Sequence, residues 1–215
     1  MRVKYPRTPH LPDSPGATSD DKWADDEAIK HLSSGIGLVV TEKMDGGNVS
    51  LYRDCFHARS LSSNVPSWEH RAKAEWARVR SDIPDRWRIS CESLWARRSV
   101  GYESLPGPLL VIGVWNAENV LLGWDDTSWW SEALGLPTVP LLWRGTDFGT
   151  AVRAWSSAGL DEDVSEGFVL RNAGAFDYTA FSQNVAKWVR ADHVRTDASW
   201  RHRDDFAVNG FEQRG

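Results

Sequence analysis

Lysine is rationed in this sequence. It occurs at positions 4, 22, 30, 43, 73 and 187 of 215 residues, and every other basic residue is arginine. One of the six, Lys43, sits where the run "VVTEKMDGGNVSLYRD" turns at Asp45-Gly46-Gly47. A primary amine can attack phosphorus or a carbonyl carbon once it loses its proton, whereas a guanidinium holds its proton above about pH 12 and cannot. A nucleophilic role therefore explains a lysine here. The two glycines let backbone approach a ligand closely, and Asp45 either stabilises the turn or faces the site.

Four further residues stand where ordinary surface chemistry does not place them. Glu92, in "CESLW", falls in a strand expected to be buried, where a carboxylate needs a partner. That partner is either a ligand or a salt bridge to Arg59 or Arg171. Glu166 starts the strand "EGFVLRN", with Arg171 further along it. Lys187 lies among apolar neighbours in "NVAKWVR", so its amine calls for an anion such as a phosphate.

The elements that must position these groups follow from periodicity. Ser19 or Asp20 caps a predicted helix over 21–33 that ends at Gly35. Residues 36–41 and 49–53 are expected as paired strands, and 55–61 continues the sheet. Trp68, Ala72, Trp76 and Val79 recur at helical spacing, which predicts a helix over 67–80. "RWRISCESLW" reads as a strand, "PLLVIGVWNAENVLLGW" as a hairpin turning at 116–119, and 127–134 and 149–158 as helices. Residues 1–18 form a Pro-rich extended arm. The expected fold class is α+β, with antiparallel β-sheets flanked by helices.

Composition narrows the function classes. The net charge of -5 excludes a chain that binds polyanions over its whole surface, but arginines cluster at 71–80, 86–88, 97–98 and 195–203. Two cysteines, Cys55 and Cys91, make neither a disulfide framework nor a zinc site. No apolar run is long enough to span a bilayer, and the N-terminus has no apolar core, so a cytoplasmic protein without membrane association is expected. The Walker A pattern of P-loop enzymes is absent. Paired carboxylates suit a glycosidase in principle, but that chemistry gives no reason for the two lysines.

In order along the chain, "EKMDGGN", "ARS", "SCESLWARRSVGY", "LLVIGVWN", "EGFVLR" and "VAKWVR" resemble six motifs of the covalent nucleotidyltransferases. That superfamily comprises ATP-dependent RNA and DNA ligases and mRNA capping enzymes, and the RNA ligase branch fits best. The resemblance runs from about 38 to 195, and it implies a nucleotidyltransferase (ligase adenylation) domain with a nucleotide pocket between its antiparallel sheets. It implies an ATP-dependent RNA ligase that joins 3′-OH and 5′-phosphate ends of nucleic acid, RNA favoured, through a lysyl-AMP and an adenylylated 5′ end. Lys43 would be the nucleophile, with Lys187 and Glu166 as further catalytic groups. Glu42, Arg59, Glu92, Trp115 and Lys187 would bind the nucleotide, Trp115 by stacking on the purine. Asn48, Arg97, Arg98 and Arg171 would meet the strand ends, and Glu166 would hold Mg2+ or Mn2+. A positive surround is expected to depress the pKa of Lys43.

The sequence departs from the pattern twice. Where many relatives carry a second lysine after the last motif lysine, this chain has Val189, followed by Arg190. The tail over 196–215 is too short for an OB or helical domain, so a single minimal nucleotidyltransferase domain is expected, its substrate held by arginines or by a partner protein. The alternatives are a DNA ligase core, a capping guanylyltransferase, or an inactive ligase-fold module that binds RNA.

Overall fold

In the computed structural model, described over residues 2–61, 67–191 and 207–212, two antiparallel sheets divide the strands between them. The first sheet has the order β10-β8-β1-β7, formed by Val185–Val189, Gly167–Asn172, Leu38–Glu42 and Leu141–Gly145. The second has the order β3-β2-β4-β5-β6-β9. Its strands are Phe56–Ala58, Gly47–Leu51, Arg88–Ser93, Leu109–Trp115, Val120–Leu121 and Phe176–Asp177. The α+β class is as the sequence implies.

Side-chain alternation gives each sheet a helix-covered face and a cavity face. On β8 and β10, Phe168, Leu170 and Ala186 pack with Ala28 and Leu32 of helix α1 (Asp26–Leu32) and with Ala151 and Trp155 of α4 (Phe148–Ser157). Their alternate neighbours Val169, Arg171, Val185 and Lys187 face a cavity instead. In the second sheet, Val49, Ile89, Cys91 and Val111 pack under Ala72 and Val79 of α2 (His70–Val79) and beside Leu134, which caps α3 (Trp124–Ala133). Among the described residues no helix is long and apolar enough to cross a membrane.

The expected hairpin over 36–53 does not form. β1 pairs with β7 and β8, while β2 pairs with β3 and β4, so residues 43–46 cross from one sheet to the other. β1 is buried along almost its whole length, which suits an interior strand with neighbours on both edges rather than one arm of an exposed hairpin. Asp45 serves the crossover: its Oδ2 accepts from the Ser99 and Val100 amides at 2.7 and 2.9 Å, and its own amide donates to the Tyr102 hydroxyl at 2.8 Å. Gly46 is demanded by this packing, since a Cβ there would lie 2.5 Å from the Ser93 carbonyl.

The first helix also starts later than its pattern predicts. Asp25 caps it, accepting from the Ala28 amide at 2.8 Å, an interaction worth about 1 kcal/mol. Residues 22–24 pair with the arm instead and leave Trp23 half exposed. The arm is tied down: the Lys187 amide donates to the Pro9 carbonyl, and the Leu11 amide donates back to Lys187. Strand β7 is an addition to the predicted elements. The arginine cluster at 195–203 lies outside the described residues. The described part of the tail packs near 95–105, with Arg97 N–H donating to the Ala207 carbonyl at 2.8 Å.

Candidate active site

The ladder between β1 and β8 explains how Lys43 meets Glu166. Glu42 is registered opposite Phe168, and the next rung is the Lys43 amide donating to the Gly167 carbonyl at 2.9 Å. Lys43 Nζ then lies 2.5 Å from Glu166 Oε2, with side chains 23% and 8% exposed. Gly167 has φ +143° and its backbone runs against β10, where a Cβ would collide with the Trp188 carbonyl. The glycine after the glutamate is thus a packing requirement that keeps β8 and β10 together.

Lys43 opens into a cavity of about 960 Å³ between the sheets. Its walls include Glu42, Asn48, Arg59, Glu92, Arg98, Arg171 and Lys187, so the structure gathers most of the residues singled out from the sequence. Glu166 stands behind Lys43. Asn48 faces Glu92 across the β2–β4 ladder. Two buried wall atoms, Asn48 Oδ1 and Arg171 Nη1, have no hydrogen-bond partner, as expected of groups awaiting a ligand. Arg171 is otherwise fixed, with Nη2 donating to the Leu122 carbonyl at 2.8 Å, and burial brings its pKa down to about 10.

Two assignments need correction. Trp115 has no exposed surface and does not line the cavity. It packs with Leu121, Phe176 and Phe181, with the Arg88 guanidinium 4.2 Å from its ring centroid. A side chain sealed in that cluster cannot stack on a purine, and Ile112 is the β5 residue on the wall. Arg97 is exposed and folds over Gly101, also off the cavity, whereas its neighbour Arg98 reaches Gly47. Alternation along the chain separates these two arginines.

The electrostatics differ from expectation as well. Burial pulls the Lys43 amine down, but the carboxylates of Glu166, Glu92 and Asp45 outweigh it and hold Lys43 above the usual lysine range. Without ligand it is an ammonium. Lys187 moves the other way, lowered first by burial and then by Lys43, against Asp21 and Glu166. Glu92 forms no ion pair with Arg59 or Arg171, and burial pushes its carboxyl up to about 7 despite Lys43 and Arg98. Glu42 is raised by burial, partly offset by Ser165.

The structure adds residues to the site. Glu69 is buried on the wall, accepts a hydrogen bond from Ser93 and is raised by burial. Tyr5 and Arg7 of the arm also line the cavity. No motif spacing pointed to them, because they arrive by long-range packing. Among the described residues no group of three or more His, Cys, Asp or Glu side chains forms a metal site. A magnesium ion that brings its own phosphate and water ligands would need only one or two of the carboxylates at this site.

A family model for RNA ligase matches residues 37–189, which contain the crossover lysine, both glutamates and the second lysine. The chain belongs to the RNA ligase family. Among solved structures it resembles an archaeal ATP-dependent RNA ligase, with 19% identity, a TM-score of 0.55, and coverage of 87% of this chain and 48% of that one. It also resembles a Naegleria gruberi RNA ligase, with 14% identity, a TM-score of 0.58, and coverage of 88% and 61%. The nucleotidyltransferase fold is shared, and the chain spans about half to three-fifths of the length of these proteins. No curated protein matches it.

Proposed function

We propose that this RNA ligase family member joins a 3′-OH to a 5′-phosphate by way of a lysyl-AMP on Lys43. The observation that carries the reading is Lys43 Nζ held on the Glu166 carboxylate at the edge of a cavity that Lys187 also lines. The Naegleria gruberi RNA ligase structures with ATP and Mn, and with PPi, support a nucleoside triphosphate as the first substrate.

Nζ attacks the α-phosphorus of ATP, the N–P bond forms, and pyrophosphate leaves with the electron pair of the broken P–O bond. Before that, Lys43 must lose its proton, and Glu166 Oε2 is the acceptor within reach. Triphosphate charge entering beside Lys187 and Arg59 matches positive groups already in place. A magnesium or manganese ion, when bound, supplies further positive charge to the phosphates. Glu92 accepts from a ribose hydroxyl. The AMP then passes to a 5′-phosphate, and a 3′-hydroxyl displaces it. Asn48, Arg98 and Arg171 offer polar groups to these strand ends.

Incubation with α-labelled ATP and a divalent cation tests this reading. The wild type takes up protein-bound label that survives alkali and is released by acid, as a phosphoramidate requires, and seals nicked RNA, while Lys43→Ala and Lys43→Arg do neither. The arginine variant separates charge from nucleophilicity. Label retained by either variant would place the covalent bond elsewhere.

A further inference from the structure

Beside the cavity lies a smaller pocket of about 160 Å³. Arg7, Thr8, Arg59 and Lys187 line both spaces, so the two are neighbours that share a wall. Lys22 joins the cations on the smaller pocket, against Asp20 and Asp21. Asp21 is already committed. Its Oδ2 accepts from the Thr18 amide and hydroxyl at 3.1 and 3.0 Å, and its Oδ1 lies 3.7 Å from Lys187 Nζ. Burial works against its charge, but Thr18, Lys187 and His10 hold the carboxyl down at about 2.

The arm delivers Arg7 to this place by built structure. The His10 amide donates to the Lys22 carbonyl at 2.7 Å and the Ala24 amide donates to the His10 carbonyl at 2.8 Å. On its other edge the arm bonds to both backbone groups of Lys187. Arg7 Nη1 donates to the Asp20 carbonyl at 3.0 Å, which holds the guanidinium at the pocket. The positions after Lys187 supply no charge here. Val189 and Arg190 are 2% and 1% exposed, and neither lines the cavity or the pocket.

We propose that Arg7 and Lys22, together with Arg59 and Lys187, form the subsite for the β- and γ-phosphates of ATP, so that the N-terminal arm is part of the nucleotide site. This rests on the reading of Lys43 as the nucleophile toward ATP. The pocket is small and carries excess positive charge, while the apolar side chains of Ile112 and Val169 line only the larger cavity. A base and sugar fill the larger space and the polyphosphate tail fills the smaller. Arginine suits the task because its fork spans two phosphate oxygens.

Isothermal titration in a Lys43→Ala background, where no covalent step follows, compares ATP, AMP and pyrophosphate in the presence of magnesium. ATP should bind at least about tenfold more tightly than AMP. Adding Arg7→Ala and Lys22→Ala should erase that advantage and weaken pyrophosphate in parallel, with AMP affinity serving as the control for an intact fold. An unchanged ATP-to-AMP ratio overturns the subsite, including the case in which the variants weaken only RNA binding. Should the parent bind neither nucleotide and the wild type take up no label from ATP, the nucleophile reading itself has failed, and the subsite with it.

Discussion

Glu92→Gln should stabilise the ligand-free protein, and more so as the pH rises. The carboxyl sits in β4 facing the cavity, close to Asp45 and Glu166, and its pKa stands at about 7 against an ordinary 4.5. Below about pH 4.5 it is protonated whether the chain is folded or not. Between there and about 7, only the folded protein keeps the proton, so the unfolded state gains with each step in pH. Above about 7 the full cost of holding the charge inside is present. At about 1.4 kcal/mol for each pKa unit, that cost is somewhat over about 3 kcal/mol at pH 8 and stays under about 1 kcal/mol at pH 5. Glutamine keeps the shape and never ionises. Urea unfolding at both pH values, without nucleotide, measures the gain. A gain equal at pH 5 and pH 8 would refute the assignment of a strained buried carboxylate. The same variant should bind ATP more weakly, because an amide is a poorer acceptor than a carboxylate for a ribose hydroxyl. Stability and function then oppose each other at one residue, as they do at many binding sites.

Trp115→Ala should cost about 3–5 kcal/mol in urea unfolding, the range for truncating a large aromatic in a packed core. Its ATP affinity under folding conditions should stay within about threefold, and a larger loss would return Trp115 to the purine site. Lys43 should react slowly with an amine-directed reagent at pH 8 in the ligand-free protein, and Glu166→Gln should speed it, read by peptide mass mapping. The sign follows from Glu166 favouring the ammonium. No change in that rate would mean that the carboxylate does not control the amine.

Lys43, Glu92, Glu166 and Lys187 were legible in the linear sequence because each is a residue type that its local context does not explain. A lone lysine by a glycine turn, carboxylates in strand patterns and an amine among valines each signal unmet chemistry without reference to any other element. Strand alternation puts Val169 with Arg171, and Val185 with Lys187, on the cavity face of their strands, since a period of two fixes which side chains share a face. What alternation leaves open is which face meets the ligand. Trp115 and Ile112 belong to one strand, and only the packing of Phe176 and Phe181 against it decided that the tryptophan is sealed and the isoleucine lines the cavity.

Pairing between distant strands decided the rest. The stretch over 36–53 carries every local sign of a hairpin, yet its halves lie in different sheets because β7 and β8 claim the edges of β1. That crossover is what sets the amine between two sheets instead of on a surface turn. The arm was legible only as an extended, proline-rich segment. Its hydrogen bonds to Lys187 and Lys22 join residues far apart in the chain, and no local propensity encodes such a meeting. Residue type thus determined what chemistry is available. Long-range backbone pairing, whose energy depends on the whole sheet, determined which of those groups face one another.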